Sequence, residues 1–307
     1  MILSDLKPGE LRERLSKGDL ILGVGPFSFE LSCPLPQVAE ALMRLYADYP
    51  VLDRGEFVDF SVCISGGKGW RRWFRRQAIF TFDGLEPFVP LPEKHAFPLL
   101  EWAMNWCVSM HTYHYLLLHS AVIERDGCAV IMPAPPGSGK STLCAGLVNR
   151  GWRLLSDELA LISLKDLSIT PFGRPISLKN QSIDIIRNYV PEAVFSRVVH
   201  DTSKGTVSHM KVRSEHLARI KDTARPRWVI FPRYVAGSKP VLSKRSKADS
   251  LLELGRNSFN YLILGKQGFD VLADVVDSCD CYDFEYSQLD GAVAVFDELV
   301  AGRTGEH

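Results

Sequence analysis

The stretch from Cys128 to Val148 constrains this chain most. An apolar run, Cys128-Ala129-Val130-Ile131-Met132, reads as a buried strand. Ala134-Pro135-Pro136-Gly137-Ser138-Gly139-Lys140-Ser141-Thr142 follows it, and Leu143 to Val148 reads as a helix. Strand, glycine-rich turn, Lys-Ser and helix are the context of a phosphate-binding loop of Walker A type. Such a loop offers backbone N–H groups at a helix start, aimed into a turn that wraps an anion. Pro136 to Thr142 are therefore the expected nucleotide contacts, with Gly137, Ser138 and Gly139 letting the backbone approach phosphate. Lys140 is expected on the β and γ phosphates and the Ser141 hydroxyl on Mg²⁺. Ala134 stands where the usual motif begins with glycine, which an alanine tolerates if its φ is negative.

The bulk composition narrows the setting. The chain has 307 residues, long enough for two domains, with 36 basic and 36 acidic residues. A net charge of zero gives no global attraction to nucleic acid or an anionic membrane. Seven cysteines, an odd number with no Cys-x-x-Cys, read as reduced thiols in a cytoplasmic protein. No apolar run reaches the roughly 20 residues of a membrane span, and the N-terminus lacks a signal-peptide pattern. His111, His114 and His119 lack a nearby carboxylate or Cys to complete a zinc set.

Periodicity divides the chain at 1–95 and 96–307. The first range carries short helices near Leu11–Ser16 and 36–49 and strands near 20–22, 27–31, 58–64 and 78–82, a small α+β domain. Within it, Gly69 to Arg76 interleaves four Arg with three aromatics, a pattern of nucleic-acid or protein-docking surfaces, against which the zero net charge favours a solvated edge strand. The second range opens with a helix over 97–113 and a strand over 116–123. Arg125-Asp126-Gly127 turns that strand back into the loop strand, so His119 is expected on a strand beside it. After the loop helix, a strand at 152–155 leads into Asp157-Glu158, seventeen residues past Lys140. Adjacent acids there suit a general base and a Mg²⁺ ligand at the γ-phosphate. The segment 168–179 reads as a polar-basic loop, with Arg174 and Lys179 suited to a phosphate or an acidic substrate group. Residues 200–206 read as a turn-rich, mobile stretch in which Lys204 closes over substrate, and His209 as a strand residue facing the site. The portion beyond 225 is expected to pack on the same core.

These residues resemble a family. His119, the loop 134–141 at fourteen residues' remove, and Gly151-x-Arg153-Leu154-x-x-Asp157-Glu158 look like the bacterial HPr kinase/phosphorylase core. Pro171-Phe172-Gly173-Arg174-Pro175-Ile176-Ser177-Leu178-Lys179-Asn180 and Lys204-Gly205-Thr206-Val207-Ser208-His209-Met210 look like the branch called HPr kinase-related kinase A. The resemblance implies an α/β fold: a P-loop kinase core of the HPr kinase/PEP carboxykinase-like type, preceded by an N-terminal α+β domain. It implies ATP and Mg²⁺ as cofactors, Asp157 as the base that activates an acceptor hydroxyl, His119 beside it, and Lys140 and Ser141 on phosphate and metal. It also implies a homo-oligomer. Ala134 and Pro136 in the loop, Glu158 for a second Asp and Trp152 for a His depart from the family pattern. They point away from HPr itself as acceptor and from the reverse, phosphorylase reaction.

The expectation is thus a cytoplasmic ATP-dependent kinase acting on a hydroxyl, of a protein serine or a small molecule, with no nucleic-acid or membrane partner. Two other readings remain open. One is a nucleotide-dependent binding module without catalysis. The other is a small-metabolite kinase of the shikimate-kinase type, whose acids are spaced Asp-x-Asp and whose loop lies near the chain start.

Overall fold

The computed structural model describes residues 1–67, 76–135 and 137–302. The chain is a mixed α/β protein whose described residues form four sheets, and it divides into two compact units. Unit one is 1–108 with 177–183 and 193–218; unit two is 109–176 with 184–192 and 219–307. These units differ from the ranges 1–95 and 96–307. The helix Ala96–His111 runs mostly in unit one, and a later excursion of the chain returns there.

Unit one carries a five-stranded sheet, ordered Leu20–Val24, Phe27–Ser32, Phe60–Gly66, Gln77–Thr81, Leu91–Pro92. Its second and third strands are parallel, as a helical crossover requires, and Pro36–Leu45 is that helix. Proline at the first helical position suits both Pro8–Lys17 and Pro36–Leu45, since its missing N–H is not needed there. A second sheet of Ile176–Lys179, Gly205–Met210 and Val199–Thr202 includes most of the returning segment. The stretch expected to be a mobile turn is therefore a β-hairpin, with Asp201 and Gly205 at φ 60° and 83° around its bend. The Arg-aromatic run lies outside the described residues except for Arg76, which pairs with Glu93 at 3.9 Å.

Unit two is built on a six-stranded sheet. Its order is Val241–Lys244, Asp280–Tyr286, Arg225–Tyr234, Cys128–Pro133, Ser120–Arg125, Arg153–Ser156. The second, third and fourth strands of that order run parallel, and their other neighbours are antiparallel. Asp126 and Gly127, at φ 53° and 79°, form the expected tight turn between Ser120–Arg125 and the loop strand. Val122, Ile131, Leu155, Val229 and Phe231 join Leu254, Leu272 and Val275 in one buried cluster. The helices Lys247–Arg256 and Lys266–Ser278 supply that last group, so the C-terminal portion shares the loop's core as expected.

One expected strand is two. Tyr115–Leu118 belongs to a three-stranded sheet with Ala160–Ser163 and Ile169–Thr170, while Ser120–Arg125 belongs to the six-stranded sheet. His119 is the residue between them. The break follows from distant groups: the Asn260 side chain accepts from Leu117 N–H at 2.9 Å, and Asn257 C=O accepts from His119 N–H at 2.6 Å. Those bonds take the ladder partners that a continuous strand would use.

A buried ion pair ties this sheet together. The Arg153 guanidinium bonds Glu124 across neighbouring strands, with 5% and 2% side-chain exposure, and also donates to the carbonyls of Arg219 and Asp222 at 2.9 Å. Glu124 in turn accepts from Gly127 N–H at 2.6 Å in the hairpin turn. Removing one partner leaves the other charge buried, so Arg153→Ala is expected to cost about 3–5 kcal/mol. Urea unfolding measures it; a midpoint unchanged from the parent protein contradicts this account of the pair.

Candidate functional site

Sheet register assembles the site at one end of unit two. Ser120 pairs with Pro133, so His119 lies just beyond the strand end, beside Ala134 where the loop begins. On the other side, Val122 pairs with Ser156 and Ile123 with Leu154. Leu155 is the extra residue of a bulge, a device that re-aims the residues after it. The chain then leaves the sheet at Asp157, at the same end as His119 and Ala134. Three elements distant in sequence deliver the loop, the histidine and the acid to one place.

The loop has the backbone its sequence implies. Gly137 and Gly139 take φ 86° and 91°, where an L side chain is strained, and Gly139 caps the helix Lys140–Val148. Ala134 carries a negative φ, so the position needs no glycine. Two strand ends hold the loop from the far side. Tyr234 N–H donates to Ser138 C=O and the Tyr286 hydroxyl donates to Gly139 C=O, both at 2.9 Å. A Cβ added at Gly139 would sit 2.5 Å from Tyr286 Oη and 3.1 Å from Tyr234 Cβ; at Gly137 it would meet nothing within 4 Å. Gly139→Ala is therefore expected to weaken nucleotide binding more than Gly137→Ala, which adds only backbone strain of about 1–2 kcal/mol. Titration of both variants with ATP checks this ranking, and equal losses contradict it.

Lys140 and Asp157 are buried, at 8% and 5% exposure. Lys140 Nζ lies 3.4 Å from His119 Nε2. The His119 ring meets Phe259 edge-on at 5.9 Å between centroids. Asp157 and Lys140 both act on the buried Cys144 thiol, one helical turn past Lys140. Burial first, then Asp157, push that thiol well up, while Lys140 opposes them. The acid and the ammonium thus both act on the first turns of the loop helix. Ser141 and Glu158 are half-buried at the same end. The Ser156 hydroxyl accepts from Leu159 N–H at 3.0 Å, fixing the turn that carries Asp157 and Glu158.

The segment expected as a polar-basic loop is mostly interior. Residues 171–178 are all buried. Phe172 N–H donates to Leu155 C=O at 2.7 Å, laying this segment along the bulged strand that ends at Asp157. The Arg174 guanidinium, 7% exposed, stands 5.4 Å over the Phe172 ring. The other three expected substrate residues belong to unit one. Lys179 ends a strand; Lys204 caps the hairpin with Nζ 5.0 Å over the Trp102 ring; His209 is buried edge-on to Phe97 at 5.3 Å. Trp152 is a core residue, packed edge-on to Phe296 with its indole N–H on Asp297 at 3.2 Å. Tyr234, Tyr286, Asn257 and Phe259 were not foreseen as site residues. They lie some hundred residues or more from the loop, and no local pattern marks them.

The donor set suits Mg²⁺. Ser141 and Glu158 offer hard oxygens, and no cluster of three or more His, Cys, Asp or Glu able to hold a metal occurs among the described residues. Mg²⁺ is commonly held by one or two protein oxygens together with substrate phosphates and water, rather than by an all-protein cage. Among the described residues no helix is long and apolar enough to cross a membrane.

Comparison with known proteins gives limited context. A family model described as SynChlorMet cassette protein ScmC matches residues 96–169, less than half of the chain. No curated protein matches. Among solved structures, the Hpr(Ser) kinase/phosphatase from Coxiella burnetii is similar at 12% identity, over 61% of this chain and 94% of that one, with a TM-score of 0.29. A TM-score that low carries no argument on fold or activity.

Proposed function

We propose that unit two binds ATP with Mg²⁺ at residues 134–142 and transfers the γ-phosphoryl group to a hydroxyl. The observation that carries this reading is the convergence of Lys140, His119 and buried Asp157 at the mouth of a glycine-φ loop. A loop that only bound nucleotide would need Lys140 and the helix start, not a buried carboxylate delivered by a separate bulged strand.

In this mechanism the loop N–H groups and Lys140 hold the β and γ phosphates, and His119 keeps the ammonium on the γ side. Ser141 and Glu158 would hold Mg²⁺, which when bound neutralises phosphate charge. The Asp157 carboxylate takes the proton of the acceptor hydroxyl. The acceptor oxygen forms the new bond to Pγ as the β–γ bridging oxygen leaves with its electron pair on ADP. Lys140 faces the charge that develops on the transferring group. Arg174 lies along the strand that ends at Asp157, where its guanidinium suits an anionic group of the acceptor or the phosphoryl oxygens.

The resemblance in the motifs supports the same chemistry, and the departures at Ala134, Pro136 and Glu158 favour an acceptor other than HPr. Incubation with γ-labelled ATP and Mg²⁺ against a metabolite pool and a soluble proteome tests the reading, with Lys140→Ala as control. Label on an organic acceptor that the control lacks supports it. ATP that binds and is never consumed favours a binding module instead.

A further inference from the structure

The sheet order also fixes where the rest of the nucleotide must lie. The loop strand Cys128–Pro133 has Ser120–Arg125 on one side and Arg225–Tyr234 on the other. Lys140 leans toward the first side, 3.4 Å from His119. That sets the γ end of a bound polyphosphate there. The nucleoside end then leaves over the opposite side, past the carboxyl ends of Arg225–Tyr234 and Asp280–Tyr286. Ligands of open parallel sheets sit at such strand ends.

Both strands end in tyrosine, and the two rings differ in exposure. Tyr286 is 2% exposed and spends its hydroxyl on Gly139 C=O. Burial also raises its pKa, so that hydroxyl stays protonated as a donor. Tyr234 is 50% exposed. Its ring meets Tyr286 edge-on at 6.0 Å and 78°, and the Tyr234 backbone N–H is bonded to Ser138 C=O. Val235 N–H on Tyr286 C=O holds the next residue as well. An exposed aromatic ring packed on a neighbouring ring beside a phosphate loop is the kind of surface on which a base stacks.

We propose that Tyr234 is the nucleobase platform of this site, its ring stacking the base of the nucleotide whose phosphates the loop holds. The proposal rests on the nucleotide reading of the loop. It adds that affinity for a nucleoside triphosphate exceeds affinity for a bare triphosphate, and that Tyr234 supplies the difference. The loop itself does not depend on this side chain, because the bond to Ser138 comes from the Tyr234 backbone.

Calorimetric titration of the full chain with Mg-ATP and with Mg-tripolyphosphate separates the two claims. Tyr234→Ala is expected to weaken ATP about 10-fold or more, the size of one base–aromatic stack, and to leave tripolyphosphate affinity unchanged. Tyr234→Phe keeps the ring and should bind ATP as the parent does. Unchanged ATP affinity in Tyr234→Ala, or equal loss of both ligands, overturns the platform. Failure of the parent protein to bind either ligand overturns the nucleotide reading and the platform with it.

Discussion

Asp157→Asn is expected to lower phosphoryl transfer about 10²–10⁴-fold, the range for loss of a positioned general base. ATP affinity should hold, since the acid is delivered by the bulged strand Arg153–Ser156 and not by the loop. Asn keeps the volume and a hydrogen-bonding oxygen but cannot take a proton at neutral pH. The neighbouring Glu158 does not substitute, because it is half-buried where Asp157 is buried and carries one more methylene. Single-turnover ADP formation in the presence of acceptor, alongside ATP titration, checks both halves. Undiminished transfer removes Asp157 from the role of base. Lost ATP binding makes it a structural or metal-holding group instead.

Lys140→Ala should have a comparable effect on turnover, about 10²–10³-fold from loss of a preorganised charge on the transferring group, and unlike Asp157→Asn it should also weaken ATP binding. The ammonium is 8% exposed at the first turn of the loop helix, so water does not replace it easily. It also lies between the loop and His119, and its removal frees the imidazole from a cationic neighbour. Turnover and affinity measured on the same preparation give the split. A variant that transfers phosphate at the parent rate places the γ-phosphate elsewhere.

The local parts of the site were legible in the sequence. Asp126-Gly127 marks the hairpin, and Gly137 and Gly139 mark the left-handed backbone of the loop. Each is a short-range consequence of residue type. The helices Pro8–Lys17 and Pro36–Leu45 and the first four strands of the five-stranded sheet were legible for the same reason.

What was not legible depends on chain returning from far away. The apolar run 116–123 has no internal signal for a break. His119 leaves both sheets only because Asn257 and Asn260, some 140 residues later, take the backbone partners of this stretch. The segment 171–178 reads as polar and basic, yet Phe172 zips onto Leu155 and takes Arg174 into the interior. Lys179, Lys204 and His209 read by sequence as loop, turn and strand residues, and the pairing of Ile176–Lys179, Gly205–Met210 and Val199–Thr202 into one sheet is set by register rather than by any local pattern. The two tyrosines are invisible for a simpler reason: a strand ending in tyrosine is common, and only the register places Tyr234 opposite Tyr286.

The central claim is transfer of the γ-phosphoryl group to an oxygen made nucleophilic by Asp157. The chemical stability of the labelled product tests it most directly. After incubation with γ-labelled ATP, Mg²⁺ and acceptor, the account predicts label in an acid-stable phosphoester, absent from both Lys140→Ala and Asp157→Asn. Label found only as inorganic phosphate, or in an acid-labile phosphoramidate or acyl phosphate, or retained in full by Asp157→Asn, would contradict it.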